Sequence, residues 1–188
     1  NDMLDLMFVA SFGNWKFDGD AEGTYQENEY NSEGQVVGFE TTDYAYALDG
    51  LYVGDMPQTA YILGVTLKPV KGLMVQAIHK TYDKNYSDWS PDAREFDGTN
   101  DDADRAQVWE APGYSKLDLH MSYKLPKVKG LDMTLNGHIF NVFDEVFVQD
   151  AVDNSRYNSY GSKEHLAHNA EVFLGTPRYA NIGLTINF

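Results

Sequence analysis

The sequence has no cysteine, few basic residues for its acidic ones, and no apolar run approaching the roughly 18 residues of a membrane-spanning helix. Without cysteine there is no disulfide framework and no thiol nucleophile. The missing run excludes a transmembrane helix. It does not exclude a transmembrane barrel, whose strands carry apolar residues only at alternate positions. Fourteen Lys and Arg against 29 Asp and Glu give a formal net charge of -15 at pH 7, and no nucleic-acid partner is expected. Catalytic patterns are missing too. There is no Gly-x-Ser-x-Gly elbow, no phosphate loop and no His-Glu-x-x-His run, and Ser122 and Ser162 have no base at a suitable spacing. No enzymatic activity and no resident cofactor are expected. The start, Asn1-Asp2-Met3, lacks the basic and apolar regions of a signal peptide, so an export signal would lie upstream.

What is present favours β structure. The 188 residues include 13 Tyr, 10 Phe and 16 Gly, suited to pleated surfaces and turns. Period-two alternation is the main signal. Ala180, Ile182, Leu184, Ile186 and Phe188 share one face, with Tyr179, Asn181, Gly183, Thr185 and Asn187 on the other. Leu117 to Leu125 and Leu131 to Ile139 alternate in the same way, and weaker runs cover Met3 to Phe12, Tyr61 to Leu67 and Leu73 to Thr81. Six strands are expected.

A short repeat, Leu67-Lys68-Pro69-Val70-Lys71-Gly72-Leu73 and Leu125-Pro126-Lys127-Val128-Lys129-Gly130-Leu131, marks tight turns at about 68–72 and 126–130. A hairpin symmetric about Val128 opposes Leu117 to Ile139, Met121 to Leu135 and Lys124 to Asp132, and pairs Asp118 with His138 on the polar face. That register matches apolar with apolar throughout. The remaining connections are long, about 18–55, 82–113 and 144–171. They hold ten acidic and no basic residues, nine against three, and six against two. Such loops are either a solvated acidic surface or a face that attracts divalent ions near lipopolysaccharide.

Short turns alternating with long loops match the periplasmic turns and extracellular loops of outer-membrane barrels. A soluble β-sandwich would alternate as well. Aromatics near strand–loop junctions (Trp15, Phe17, Tyr82, Tyr86, Trp89, Tyr123) and polar faces suited to a wet lumen favour the membrane. Two loop motifs are candidate ligand or metal sites. His165 and His168, three apart, could both reach a metal or haem on a helical turn. Asp97, Asp101, Asp102 and Asp104 offer hard oxygens for Ca²⁺, without EF-hand spacing.

The end of the chain is the most specific feature. Asn181-x-Gly183-x-x-Ile186-x-Phe188 resembles the terminal signal read by the bacterial barrel-assembly machinery. Asn141-Val142-Phe143-Asp144, then Gly175-Thr176-Pro177-Arg178 and the final strand, resembles the closing signature of TonB-dependent outer-membrane receptors. Phe12-Gly13-Asn14-Trp15 and Leu51 to Gln58 resemble such receptors in the Bacteroidetes. The resemblance implies an all-β transmembrane antiparallel barrel of 22 strands with an N-terminal plug. Residues 1–188 would supply its last six strands, with Asn1 interior to a longer receptor, both ends periplasmic and Phe188 the native terminus.

The implied function is TonB-dependent active import across the outer membrane of a Gram-negative bacterium. The cargo would be a scarce nutrient such as a siderophore or metal complex, as in iron uptake. The implied partners are TonB through the missing N-terminal part, the assembly machinery, the lipid bilayer and lipopolysaccharide, and a small-molecule ligand, with a surface lipoprotein as a further candidate. The alternatives are a non-transporting barrel with a structural, assembly or secretion role, and a soluble β-sandwich binding module.

Overall fold

The computed structural model describes residues 3–97, 102–127, 130–159 and 161–187. In chain order the strands are β1 (Leu4–Phe12), β2 (Ala21–Tyr30), β3 (Val36–Tyr46), β4 (Thr59–Val70), β5 (Leu73–Asp83), β6 (Asn85–Tyr86), β7 (Glu95–Phe96), β8 (Glu110–Ala111), β9 (Tyr114–Lys124), β10 (Asp132–Phe140), β11 (Val148–Val152), β12 (Glu171–Leu174) and β13 (Tyr179–Asn187). Single helical turns occur at Pro91–Arg94, Arg156–Ser159 and Ala167–Asn169.

Six strands form an open antiparallel sheet in the order β1-β4-β5-β9-β10-β13. They are the six that the alternation predicts, each beside its neighbour in the sequence. β1 and β13 are the two edges of this sheet, and the described strands do not close into a barrel. Lys71-Gly72 makes the turn from β4 to β5, with Gly72 at φ +87, a backbone region that glycine enters without a Cβ penalty.

The second hairpin departs from the expected register. Each β9 residue meets one two positions further along β10: Leu119 opposes Ile139, Met121 opposes Gly137 and Tyr123 opposes Leu135. The expected pairs Leu117–Ile139 and Lys124–Asp132 are therefore not opposed. Lys124 faces Thr134, its Nζ 3.8 Å from Asp132, which Lys127 reaches at 2.9 Å. A two-residue slip keeps every side chain on its own face, so alternation is the same in both registers.

The two faces of the sheet differ most sharply along two adjacent cross-strand rows. One cross-strand row runs Leu6–Val65–Ala77–Leu119–Ile139–Ala180, apolar in all six strands. The adjacent row on the opposite face runs Asp5–Thr66–Gln76–His120–His138–Asn181, polar in all six. The apolar face is uncovered: Phe8 is 69 % exposed and Ile182 82 %. The buried side chains within these strands are Thr59, Thr66 and Asp118, all polar.

The packed apolar core lies elsewhere. The long connections fold together as a cap at one end of the sheet. β2 and β3 form a hairpin extended by β7, β6 pairs with β8, and β11 pairs with β12. Leu48, Leu51, Tyr86 and Val108 form one buried cluster, flanked by Phe17, Tyr46, Tyr52 and Trp89. Phe17, Tyr86 and Trp89 thus belong to the cap core rather than to an interfacial girdle; Tyr86 stacks on Tyr52 at 4.1 Å. The acidic β2–β3 hairpin escapes a search for alternating apolar residues. A turn signal was nonetheless available, since the Asn31 Oδ1 accepts from the Glu33 and Gln35 N–H groups at 3.0 and 2.9 Å.

Candidate functional site

The motif residues at the end of β10 and the start of β13 form a clasp. Asn141 sits at φ +51, buried, and its N–H donates to Asp118 Oδ1 at 2.9 Å. Its side-chain amide donates to the Glu145 and Thr176 carbonyls at 2.9 and 3.2 Å, while its Oδ1 accepts from the Glu145 N–H at 3.0 Å. Asp144 Oδ1 accepts from the Arg178 N–H at 2.7 Å, and Arg178 Nη1 donates to the Val142 carbonyl at 3.3 Å. Gly175 donates its N–H to Phe147 at 2.9 Å, and a Cβ at position 175 would fall inside the Phe147 ring. Phe147 in turn stacks on Tyr114 at 4.1 Å. Asn141, Val142, Asp144, Gly175 and Arg178 are therefore brought together, with Pro177 inside the same segment. Phe143 points away, 72 % exposed.

A buried charged quartet ties the second and third long connections together. Arg94, with 0 % of its surface exposed, lies 3.2 Å from Asp153 Oδ2 and 3.5 Å from Asp104 Oδ1, and donates to the Asp104 carbonyl at 2.8 Å. His165 lies between the same carboxylates, with Nδ1 on Asp153 and Nε2 on Asp104 at 2.9 Å. Asp153 Oδ1 also accepts the Trp109 N–H at 3.3 Å. Two carboxylates balance Arg94 and a protonated His165, so the quartet is neutral only as the imidazolium. Burial pushes the His165 pKa down, but hydrogen bonds to Asp153 and Asp104 outweigh it and the net shift is upward. Burial also depresses the Arg94 pKa, opposed by Asp104 and Asp153.

The first long connection joins through Asp20, whose two oxygens accept from Arg105 at 2.8 and 2.7 Å. The Arg105 hydrogen bonds hold the Asp20 carboxyl well below the usual carboxylate range. By contrast burial, with neighbouring acidic groups, raises the Asp55 and Asp88 carboxyls; Asp150 faces both.

Other expected pairings do not form. His165 and His168 do not converge. His168 is solvent-facing and sits 3.7 Å from Glu164, while both His165 nitrogens are occupied by carboxylates. Of the acidic run, Asp104 enters the quartet, the Asp102 carbonyl accepts from Lys163 at 2.9 Å, and Asp97 is exposed. Asp101 lies outside the described residues, as does Phe188. Among the described residues no group of three or more His, Cys, Asp or Glu is arranged to hold a metal ion. Asp118 and His138 are not partners either. Asp118 binds Lys80 at 2.9 Å, and the His138 Nδ1 meets the His120 Nδ1 at 2.9 Å. This follows from the two-residue register difference, which sets His120 opposite His138. Asn181 and Gly183 face the polar side of β13 opposite His138 and Asn136, and Ile186 faces the apolar side opposite Met133.

No protein-family model and no curated protein matches the chain. Among solved structures it is similar to the ferric-catecholate import receptor Fiu of E. coli K12 in its closed form, at a TM-score of 0.42 and 15 % identity. The match covers 98 % of this chain and 25 % of that one, so the chain spans about a quarter of that receptor's length. A likeness this slight carries neither fold nor function.

Proposed function

We propose that the chain is a wall segment of an outer-membrane β-barrel belonging to a TonB-dependent importer of a scarce nutrient, a siderophore or another metal complex. The observation that carries the reading is the two-faced sheet, with an apolar row and a polar row each unbroken across six sequential antiparallel strands. Hydrocarbon suits the first face and a water-filled lumen the second. Short turns at one end and a folded cap at the other support the same orientation. The clasp gives the receptor-like ending a physical purpose, because it fixes how the last strand leaves the cap.

In this reading the cap is extracellular, and the plug and TonB-contacting segment belong to parts of the protein beyond residues 1–188. Transport is read in cells bearing the full-length protein. Uptake of radiolabelled ferric siderophore should stop when the protein is deleted and when the proton gradient is collapsed. Uptake that survives either treatment contradicts the proposal.

A further inference from the structure

We infer that His120 and His138 form a cross-strand chelate for a borderline divalent cation, Cu²⁺ or Ni²⁺, on the polar face of the sheet. The two residues are directly opposed on β9 and β10, and their Nδ1 atoms are 2.9 Å apart. Metal–imidazole bonds of about 2.0–2.1 Å at right angles put two nitrogens about 2.9 Å apart, the spacing of neighbouring ligands in a tetragonal site. In the metal-free chain the contact is a hydrogen bond, one Nδ1 donating and the other accepting. A modest turn about χ2, a soft torsion for histidine, aims both lone pairs at a shared ion.

Aromatic packing limits the rings to small motions. His120 meets Phe140 edge-on at 5.4 Å, His138 stacks on it at 6.0 Å, and Phe140 stacks on Tyr179 at 4.6 Å. The same polar row supplies oxygen donors beside the pair, Gln76 opposite His120 and Asn181 opposite His138. Water or an incoming ligand completes the coordination. Imidazole with oxygen donors in a tetragonal arrangement selects Cu²⁺ or Ni²⁺ over Ca²⁺ and Mg²⁺. The water-filled setting of the pair rests on the barrel reading, whereas the chelate itself rests on the β9–β10 register alone.

The test titrates Cu²⁺ into the detergent-solubilised full-length protein and reads bound copper by electron paramagnetic resonance. One copper with two equivalent imidazole nitrogens is expected. His120→Gln and His138→Gln should each weaken it by at least the roughly 10–100-fold that losing even an outer-shell partner costs. His79→Gln and His168→Gln should leave it unchanged. A nitroxide at Asn136→Cys, next to the pair on β10, should be broadened by copper without altering either histidine. Two-nitrogen binding that survives His120→Gln or His138→Gln, or an unbroadened nitroxide, overturns the inference. Failure of the barrel reading would appear separately, as a lack of heat-modifiable gel migration in the unsubstituted protein.

Discussion

The sheet and the cap bury opposite things. In the six long strands the buried side chains are polar and many large apolar ones, such as Leu6, Phe8 and Ile182, are exposed. In the cap, Leu48, Leu51, Tyr86 and Val108 are buried, as in a water-soluble domain. Full burial of one Leu or Phe is worth about 1.5–3 kcal/mol, so a sheet that leaves whole rows of them uncovered lacks its main driving force in water. On the barrel reading proposed above, the two regions fold for two solvents, the cap for water and the sheet for hydrocarbon on one face and water on the other.

The largest expected effect separates the regions through the quartet. Arg94→Met leaves the buried Asp104 and Asp153 with His165 as their one remaining cation in the quartet and should cost about 3–5 kcal/mol. Hydrogen exchange should rise in residues 84–112 and 148–170 and stay unchanged in β4, β5 and β9. Loss of protection in the sheet as well would join the two regions into one cooperative unit. Gly175→Ala comes next, because its methyl group meets the Phe147 ring. A cost of about 1–3 kcal/mol is expected, with loosening confined to the clasp and β11–β12, and the same substitution should cost less when made in a Phe147→Ala background.

The smallest effect is on pH. His165 has its folded pKa raised above the ordinary value of about 6.5. Its contribution is fully present below the unfolded pKa and is lost as pH rises through the folded one. Amide protection around Asp153 should therefore fall with rising pH above about 6.5, and His165→Gln should flatten that slope. A slope of the opposite sign, or one that survives the substitution, removes the imidazolium from the quartet.

The sheet was legible in the sequence because period-two alternation is a local property. It located all six strands, their order and their faces. It does not distinguish registers two residues apart, which is why alternation sets Asp118 against His138 although Lys80 is the partner of Asp118 and His120 that of His138. The cap was legible only as acidic composition. Its organising contacts join residues far apart in sequence, Asp20 with Arg105, Arg94 with Asp153, and His165 with Asp104. Nothing local marks them. The motif residues at 141–144 and 175–178 were visible as a pattern, but their role as a hydrogen-bonded clasp emerges only when both segments meet.

That the two faces of one sheet meet different solvents can be tested directly, because residues 1–188 hold no cysteine and can be labelled singly once any cysteine elsewhere in the protein is replaced. Single spin labels at Ala77→Cys and Ile139→Cys, and at Gln76→Cys and the exposed Thr185→Cys on the polar face, would be measured in the intact protein in native membranes. High oxygen and low polar-relaxant accessibility are expected at Ala77 and Ile139, with the reverse at Gln76 and Thr185. Equal access of the polar relaxant to both sets, or exclusion of both relaxants from the apolar set, would contradict it.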